Sequence, residues 1–573
     1  MRILVAQVTR MGDMLQTTPM IRSIRHQHPS AHITVLVREM GVIIAQRNPD
    51  IDDVIVYNED ETYLHLQSED SDRLLKAYEM AEAFIDRLKA GRFDIAYNCT
   101  HSITSTMLLK LAGIPKVAGA QLNPHHQYVI EGKGPACFFA SVLNRDLSEL
   151  NLCDVFRYFA PESDAPRELV FDLTEADRAE ARTLLAAQGI DDNDMLVCMQ
   201  LGASDRDKRW PAESFGQLAQ SLRSKHNAKV ALLGVDSEAP LADAFERTAP
   251  GIAAHLFGKS SVPVLAAVLE RSQILVSNDT GTMHIAAAVG CPVVLMSVGY
   301  VHFRETGPYA DHCVALERRR ENLGSSDLMK SDPSERVGIN PEHAMSAVEF
   351  VLEGCTQDTW HNFTQNADFE NVDVYASEFS QDGCLAWHSL EQRPYRRADL
   401  IRHIYRLTWI QYLQETGDDA AAAGFLNRAR SGHTAIDPDA LNSWTAELIN
   451  EFDELAKLAA AGSCKAEELA KGLSQQAPMK WAKSLVTDLM RMDEAIRVYG
   501  EIHDACRPLV MLAKFERENL QGTDPRVLAD ATQAIYDRLN QRALLAAFKS
   551  HFTGEQLLEK KDSHPRTLHK ATG

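Results

Sequence analysis

The feature that most constrains this chain is an alternation, over its first two-thirds, of short β-branched apolar runs with segments of helical period. Such alternation builds crossover units and a parallel sheet, because parallel neighbours need a connection long enough to bring the chain back to the same edge. The first series predicts strands at Ile3–Val8, Ile33–Val37, Val54–Tyr57 and Phe93–Asn98, with helices around Gln16–His28, Met40–Arg47, Arg73–Ala90 and Ser102–Ala112. Prolines and small polar residues from Ala160 to Pro166 then break the pattern. A second series follows, with strands at Leu196–Leu201, Lys229–Gly234, Ile274–Ser277 and Pro292–Met296 and helices near Glu175–Gln188, Ala212–His226, Val262–Glu270 and Met283–Val289.

From Pro341–Glu353 onward the strand pattern fades into helix-period segments such as Leu400–Leu413, Ala420–Ala429 and Trp481–Tyr499, with no repeat of fixed period. A length of 573 residues, at about 150 per domain, allows three to four units. The expected division is a Rossmann-like domain over 1–163, a second Rossmann-like domain over 164–355 and a mainly helical C-terminal region over 356–573. The polar tail Glu559–Gly573 reads as frayed. Two such α/β domains in tandem leave a cleft between the carboxyl ends of their strands, where open sheets bind ligands.

Charge and cysteine narrow the class. The balance of 59 Lys and Arg against 80 Asp and Glu, a net −21, argues against a general nucleic-acid binder, which needs a dominant basic surface. The ten cysteines are scattered singly, with no C-x-x-C pair to build a zinc or redox site, and predict a reducing, cytoplasmic home. The run Ile3–Val8 is too short for a signal-peptide core and reads as a first strand. The longest apolar stretch, Met283–Val301, carries His284 and the turn Gly290-Cys291-Pro292, so it reads as helix, turn and buried strand rather than a membrane span.

Three strand-to-helix loops carry the candidate chemistry. In Val8-Thr9-Arg10-Met11-Gly12-Asp13, Gly12 permits a tight turn and the Asp13 carboxylate can take a proton from an acceptor hydroxyl; equally, Asp13 can cap a helix through Leu15 or Gln16. In Gly202-Ala203-Ser204-Asp205-Arg206-Asp207-Lys208-Arg209-Trp210-Pro211, Ser204 can donate to a phosphate oxygen, and Lys208 and Arg209 bring positive charge. The bland reading is a solvated turn before a helix started by Pro211. The spacing is not that of a Walker P-loop, and no G-x-G-x-x-G follows a predicted strand, which disfavours a dinucleotide oxidoreductase. In Asn278-Asp279-Thr280-Gly281-Thr282-Met283-His284, a polar loop opens onto a helix N-terminus whose N–H groups favour an anion. Asp279 suits a sugar hydroxyl there, against a reading in which Asp279 or Thr280 caps the helix and His284 is packed.

Together, Gly12-Asp13 with Thr17-Thr18-Pro19, Gly202-Ala203-Ser204 with Lys208-Arg209-Trp210-Pro211, and Asn278-Asp279-Thr280-Gly281 with Met283-His284-Ile285-Ala286-Ala287 resemble glycosyltransferase family 9, the heptosyltransferases of lipopolysaccharide core assembly. The resemblance spans roughly residues 1–355. It implies the two-domain GT-B fold and an inverting transfer of a heptose-like sugar from ADP-heptose, or a similar nucleotide-sugar, to a lipid-linked glycan acceptor. It also implies that no metal or other cofactor is needed. The resemblance places the acceptor in the first domain and the nucleotide-sugar in the second: by motif, Asp13 would be the general base, and Lys208, Asp279, Thr280, Gly281 and His284 would hold the donor, with Ser204 and Thr282 added from their places in the same loops and Glu238 a weaker match to an acidic position contacting it. Thr282 replaces the proline usual in the family, and the stretch Glu317–Val337 is charged and idiosyncratic. Acceptor-side candidates, outside any motif, are Arg10, Arg38, His125 and His126. Two alternatives stand beside the transferase: a nucleotide-sugar-binding scaffold, and another GT-B-like enzyme such as an epimerase.

In the C-terminal region Arg393, Arg396, Arg397, Arg402 and Arg406 oppose only Asp399 within their own segment, among Tyr395, Tyr405, Trp409 and Tyr412. This pattern suits a helix lying against anionic lipid, placing the protein peripherally on the cytoplasmic face of the inner membrane, or against a phosphorylated acceptor, or else a bundle helix with its arginines in solvent.

Overall fold

The first series of apolar runs folds as six strands, β1 (Arg2–Gln7), β2 (His32–Val37), β3 (Asp53–Val56), β4 (Ile95–Asn98), β5 (Val117–Leu122) and β6 (Tyr128–Glu131), in the order β3-β2-β1-β4-β5-β6. They belong to a computed structural model that describes residues 1–160, 164–319, 338–355, 360, 369, 371–391, 393–415, 417–432 and 436–558. The linker positions Pro161–Ser163, the charged stretch from Arg320 to Val337 and the tail Glu559–Gly573 lie outside the described residues. β1 is central because everything after Arg2 is buried, and it pairs in parallel on both edges, Ile3 standing opposite Ile33 and Ile95. Only β6, joined to β5 by a tight turn, runs antiparallel. The connecting helices are α1 (Met11–Gln27), α2 (Glu39–Gln46), α3 (Glu59–Leu66), α4 (Ser71–Ala90), α5 (Ile103–Leu111), α6 (Lys133–Val142) and α7 (Leu152–Arg157).

The second sheet has eight strands, β7 (Leu196–Gln200), β8 (Lys229–Leu233), β9 (Ala253–His255), β10 (Ile274–Asn278), β11 (Val293–Ser297), β12 (Val314–Arg318), β13 (Val372–Phe379) and β14 (Leu385–Ser389). Their order is β14-β13-β12-β11-β10-β7-β8-β9, parallel from β9 to β12. Its helices are α8 (Glu175–Ala186), α9 (Ala212–His226), α10 (Ala242–Thr248), α11 (Val262–Arg271), α12 (Gly281–Ala288), α13 (Phe303–Thr306) and α14 (Pro341–Leu352). The stretch Met283–Val301 is, as expected, the end of a helix, a turn and a buried strand. In each sheet the chain order reverses beside one central strand, at β1/β4 and at β7/β10, and the three candidate loops leave the carboxyl ends of β1, β7 and β10.

The C-terminal region is mainly helical, with α15 (Arg397–Gln414), α16 (Asp419–Ser431), α17 (Pro438–Ser474), α18 (Met479–Ile502), α19 (Arg507–Glu518) and α20 (Pro525–Leu558). β13 and β14, which the fading pattern does not announce, add an antiparallel pair to the second sheet. The long helices α17 and α20 run antiparallel and close: a Cβ on Gly462 would stand 2.6 Å from the ring of Tyr536, and Thr445 meets Gly554. The region also grips the first domain. Asn519 accepts from the backbone N–H of Ile130 at 3.0 Å and donates to its carbonyl, completing the open edge of β6.

The reading of the arginine patch as a solvated face is corrected, because its side chains pair with acids of the protein: Arg393 bonds Asp399 at 2.7 and 3.0 Å, Arg396 bonds Asp373 at 2.7 Å, and Arg402 pairs with Asp399 and Glu149. Arg397 pairs with Glu447, Glu451 and Asp504. Arg406 is fully buried, held by Asp382 at 2.9 Å and by the carbonyls of Cys384 and Leu385. Tyr395, Tyr405 and Trp409 are buried with them. Apart from Asp399, the acids come from other parts of the chain, so a local charge count could not find them, and burial without such partners would be prohibitive. No helix among the described residues is long and apolar enough to cross a membrane.

Candidate functional site

The site forms where the first turns of α1 and α12 meet across the two sheets. Gly12 lies inside α1, with no positive φ; its smallness serves clearance instead of a turn. A Cβ there would stand 2.8 Å from Cδ2 and 3.3 Å from Nε2 of His284, and one on Gly281 would stand 3.1 Å from Met11 Cε. Asp13 is the third residue of α1, not its N-cap: its carboxylate accepts the Arg10 backbone N–H at 3.1 Å rather than those of Leu15 or Gln16. Thr17-Thr18-Pro19 is structural. Pro19 cannot donate within α1, and the Thr18 hydroxyl bonds the carbonyl of Leu15 at 2.7 Å while accepting from the Val170 N–H at 3.0 Å, which fastens the start of the second domain to α1.

His284 is buried among these groups, with no hydrogen-bond partner for Nδ1 among the described residues. Burial lowers its pKa, while the carboxylates of Asp279 and Asp13 pull in the other direction; the net lowering keeps the imidazole neutral near pH 7. One ring thus feels an acid from each domain.

Lys208 does not point freely into the cleft. Its Nζ bonds Asp279 at 2.8 Å and lies 4.7 Å from the ring centre of Tyr300, whose hydroxyl donates to Asp205 at 2.7 Å. Gly299, at φ +74°, makes the turn that brings Tyr300 there. Asp205 also accepts the Asp207 N–H, and these bonds lower its pKa. Arg209 turns back to the carbonyl of Ala203 at 2.9 and 3.2 Å, so it closes the loop, and Ser204 is exposed on it. The helix α12 starts at Thr280, whose side chain makes no cap bond and lies 3.4 Å from the Ser277 hydroxyl. Capping by that side chain is therefore not what the loop does.

Glu238 enters from the loop after β8. It accepts from Gln200 at 3.0 Å and from the Val235 N–H at 3.2 Å, and its carboxylate occupies the space that a side chain on Gly202 or Gly234 would need. Gln200 also accepts from Thr282 at 3.3 Å, so Glu238, Gln200 and Thr282 form one chain of bonds. Beneath them Asn278 is fully buried, accepting the Trp210 N–H at 2.8 Å and donating to the carbonyls of Leu201 and Gly202. Sequence reasoning misses Gln200 and Tyr300, and names Asn278 only as part of the third motif, without a role. Their only signal is a polar residue at the end of an otherwise apolar strand, or an aromatic one in the loop after it.

Of the acceptor-side candidates, Arg10 is exposed at the start of α1 and its charge reaches Tyr300 of the second domain. Arg38 follows β2, and His125 and His126 sit in the turn between β5 and β6, all at the carboxyl edge of the first sheet. Among the described residues no group of three or more His, Cys, Asp or Glu is placed to hold a metal ion.

Residues 81–332 match the family model for glycosyltransferase family 9 (heptosyltransferase). The chain is 25% identical over 288 residues to lipopolysaccharide heptosyltransferase 3 of Escherichia coli, across 49% of this chain and 79% of that protein. It is 23% identical over 310 residues to lipopolysaccharide heptosyltransferase 2 of Salmonella typhimurium, across 52% and 82%. Among solved structures, a glycosyl transferase family 9 protein from Veillonella parvula is similar with a TM-score of 0.51 and 21% identity, covering 61% of this chain and 97% of that one. That likeness shows the shared fold.

Proposed function

We propose that this chain, a glycosyltransferase of the family 9, heptosyltransferase-like type, moves a heptose-like sugar from an ADP-activated donor to a lipopolysaccharide core or related surface-glycan acceptor, by one inverting displacement with Asp13 as base. The observation that carries this reading is the abutment of Gly12 on His284, which sets Asp13 of one domain and Asp279 of the other around the same ring.

The acceptor oxygen bonds the anomeric carbon as the bond from that carbon to the diphosphate breaks. Its proton passes to Asp13, and the electron pair leaves on ADP. Any carboxylate is a weaker base than the alkoxide of the acceptor, so proton transfer follows the bond change that acidifies the oxygen. The bond from the Arg10 N–H holds the Asp13 carboxylate in place for this. The departing diphosphate is met by Lys208 and the open first turn of α12, and losing one such preorganised donor costs about 3 kcal/mol, roughly a hundredfold in rate. Lys208 starts in an ion pair with Asp279, so donor binding must share it; Asp279 is then free to accept from a sugar hydroxyl. Ser204, Thr280, Gly281, Thr282 and Glu238 complete the donor side, with no metal required. The lipid-linked acceptor enters over the first sheet past Arg10.

The test pairs calorimetric binding of ADP-heptose with a transfer assay. Asp13→Asn should keep donor affinity within about twofold while transfer falls by at least about a hundredfold, the scale of general-base loss. Lys208→Ala and Asp279→Ala should lose donor binding, and a chelator should leave the rate unchanged. Transfer retained by Asp13→Asn removes Asp13 from the reaction; donor binding without transfer to any acceptor favours the scaffold reading.

A further inference from the structure

Arg10 is the last residue before α1, and the residues after it fix where its side chain begins. A Cβ on Gly12 would stand 2.8 Å from His284, and one on Gly281 would stand 3.1 Å from Met11 Cε, so the start of α1 lies against the first turn of α12. The Asp13 carboxylate accepts the Arg10 backbone N–H at 3.1 Å. Arg10 therefore leaves the backbone beside the proposed base and beside the other domain's helix N-terminus, where Thr280 makes no side-chain cap bond.

Its charge reaches the same place. The bond to Asp205 raises the pKa of Tyr300, and the Arg10 guanidinium opposes that rise from across the cleft; Lys208 Nζ lies 4.7 Å from the centre of the same ring. Two cations, one from each domain, thus flank Tyr300 at the mouth of α12. They differ in commitment: Lys208 is paired with Asp279 at 2.8 Å, whereas Arg10 is exposed and its guanidinium forms no ion pair with a described residue. A guanidinium with no acid to neutralise it keeps its full charge for an incoming anion, and its planar fork fits two oxygens of a phosphate.

We propose that Arg10 is a donor-binding residue that reaches from the first domain to the β-phosphate of the nucleotide, the phosphate bonded to the sugar. The proposal rests on the ADP-donor reading. The choice of phosphate follows from Asp13: a base for the oxygen attacking the anomeric carbon must lie close to that carbon, and the β-phosphate is joined to it. As the bond from that carbon to the β-phosphate oxygen breaks, the electron pair stays on the oxygen, and Arg10 meets the growing charge from the side opposite Lys208.

Calorimetry on the full chain with ADP and AMP, in the parent, Arg10→Met and Arg10→Lys, tests this. Arg10 is exposed, so Arg10→Met should leave Tm unchanged. ADP should bind it about tenfold more weakly, the scale of a charge-assisted hydrogen bond, while AMP, which lacks the β-phosphate, should shift by less than about twofold. Arg10→Lys should recover part of the loss, because a point charge replaces the fork. Equal weakening of both nucleotides overturns the proposal, as does unchanged ADP affinity in Arg10→Met, which would return Arg10 to the acceptor side. ADP binding by the parent that ignores Arg10 leaves the donor reading standing, whereas a parent that binds no ADP removes that reading and this proposal with it, so the two failures are told apart.

Discussion

The Gly12 backbone and the His284 imidazole touch so closely that an added methyl would stand 2.8 Å from Cδ2, which makes this pair one tight contact of the seam between the two α/β domains. Gly12→Ala must therefore push the ring or the domains apart. Overpacking of this kind costs about 1–3 kcal/mol. We expect a lower Tm, largely restored when His284→Ala is added, because the clash needs both partners; additive losses of stability in a double-mutant cycle would show that the two do not act through contact.

Glu238 and Gly202 make a second such pair. The Glu238 carboxylate lies where the Gly202 side chain would begin, so Gly202→Ala expels it and breaks its bond with Gln200. Donor KM should rise about tenfold, near 1.4 kcal/mol, in Gly202→Ala, in Glu238→Ala and in the double variant alike. A double variant tenfold worse than either single would separate them.

Glu305 ties stability to pH. Burial raises its pKa from the ordinary 4.5 to about 7, with Arg145 opposing weakly. Below pH 4.5 both folded and unfolded chains hold the proton; between 4.5 and 7 only the folded chain does, so the group's contribution falls as pH rises through that window and is level above it. The shift corresponds to about 3 kcal/mol at 1.36 kcal/mol per unit. Denaturant unfolding should show Glu305→Met more stable than the parent at pH 8 and equal to it near pH 4; a gap that does not change with pH would contradict the burial argument.

Arg406 is fully buried and the Asp382 side chain nearly so, and removing one partner strands a charge. Asp382→Ala should cost about 3–5 kcal/mol, whereas Arg406→Met combined with Asp382→Ala should recover much of it, since a packed apolar pair can replace a buried ion pair. Chemical denaturation of the three variants reads this directly. Recovery by the double variant identifies the arginine cluster as internal architecture; equal losses throughout would point to the carbonyl bonds from Arg406 instead.

Hydrophobic periodicity is a local property, which is why the strands Ile3–Val8 and Ile274–Ser277 were legible as β1 and β10, and why the loops after them could be marked as candidate sites. The placement of Asp13, Lys208, Asp279 and His284 is likewise legible, because each lies in a loop or first helical turn that follows a central strand. What those residues touch is not. The clearance role of Gly12, the capture of Lys208 by Asp279, the cradle of Gly202 and Gly234 around Glu238, and the burial of Arg393, Arg402 and Arg406 all join residues that the chain keeps apart. The amino-acid order thus determined the two doubly wound sheets and the helical character of the last third. Tertiary structure alone decided which charges neutralise one another and which glycines leave room for a neighbour, because burial and close approach depend on the partner from the other end of the chain.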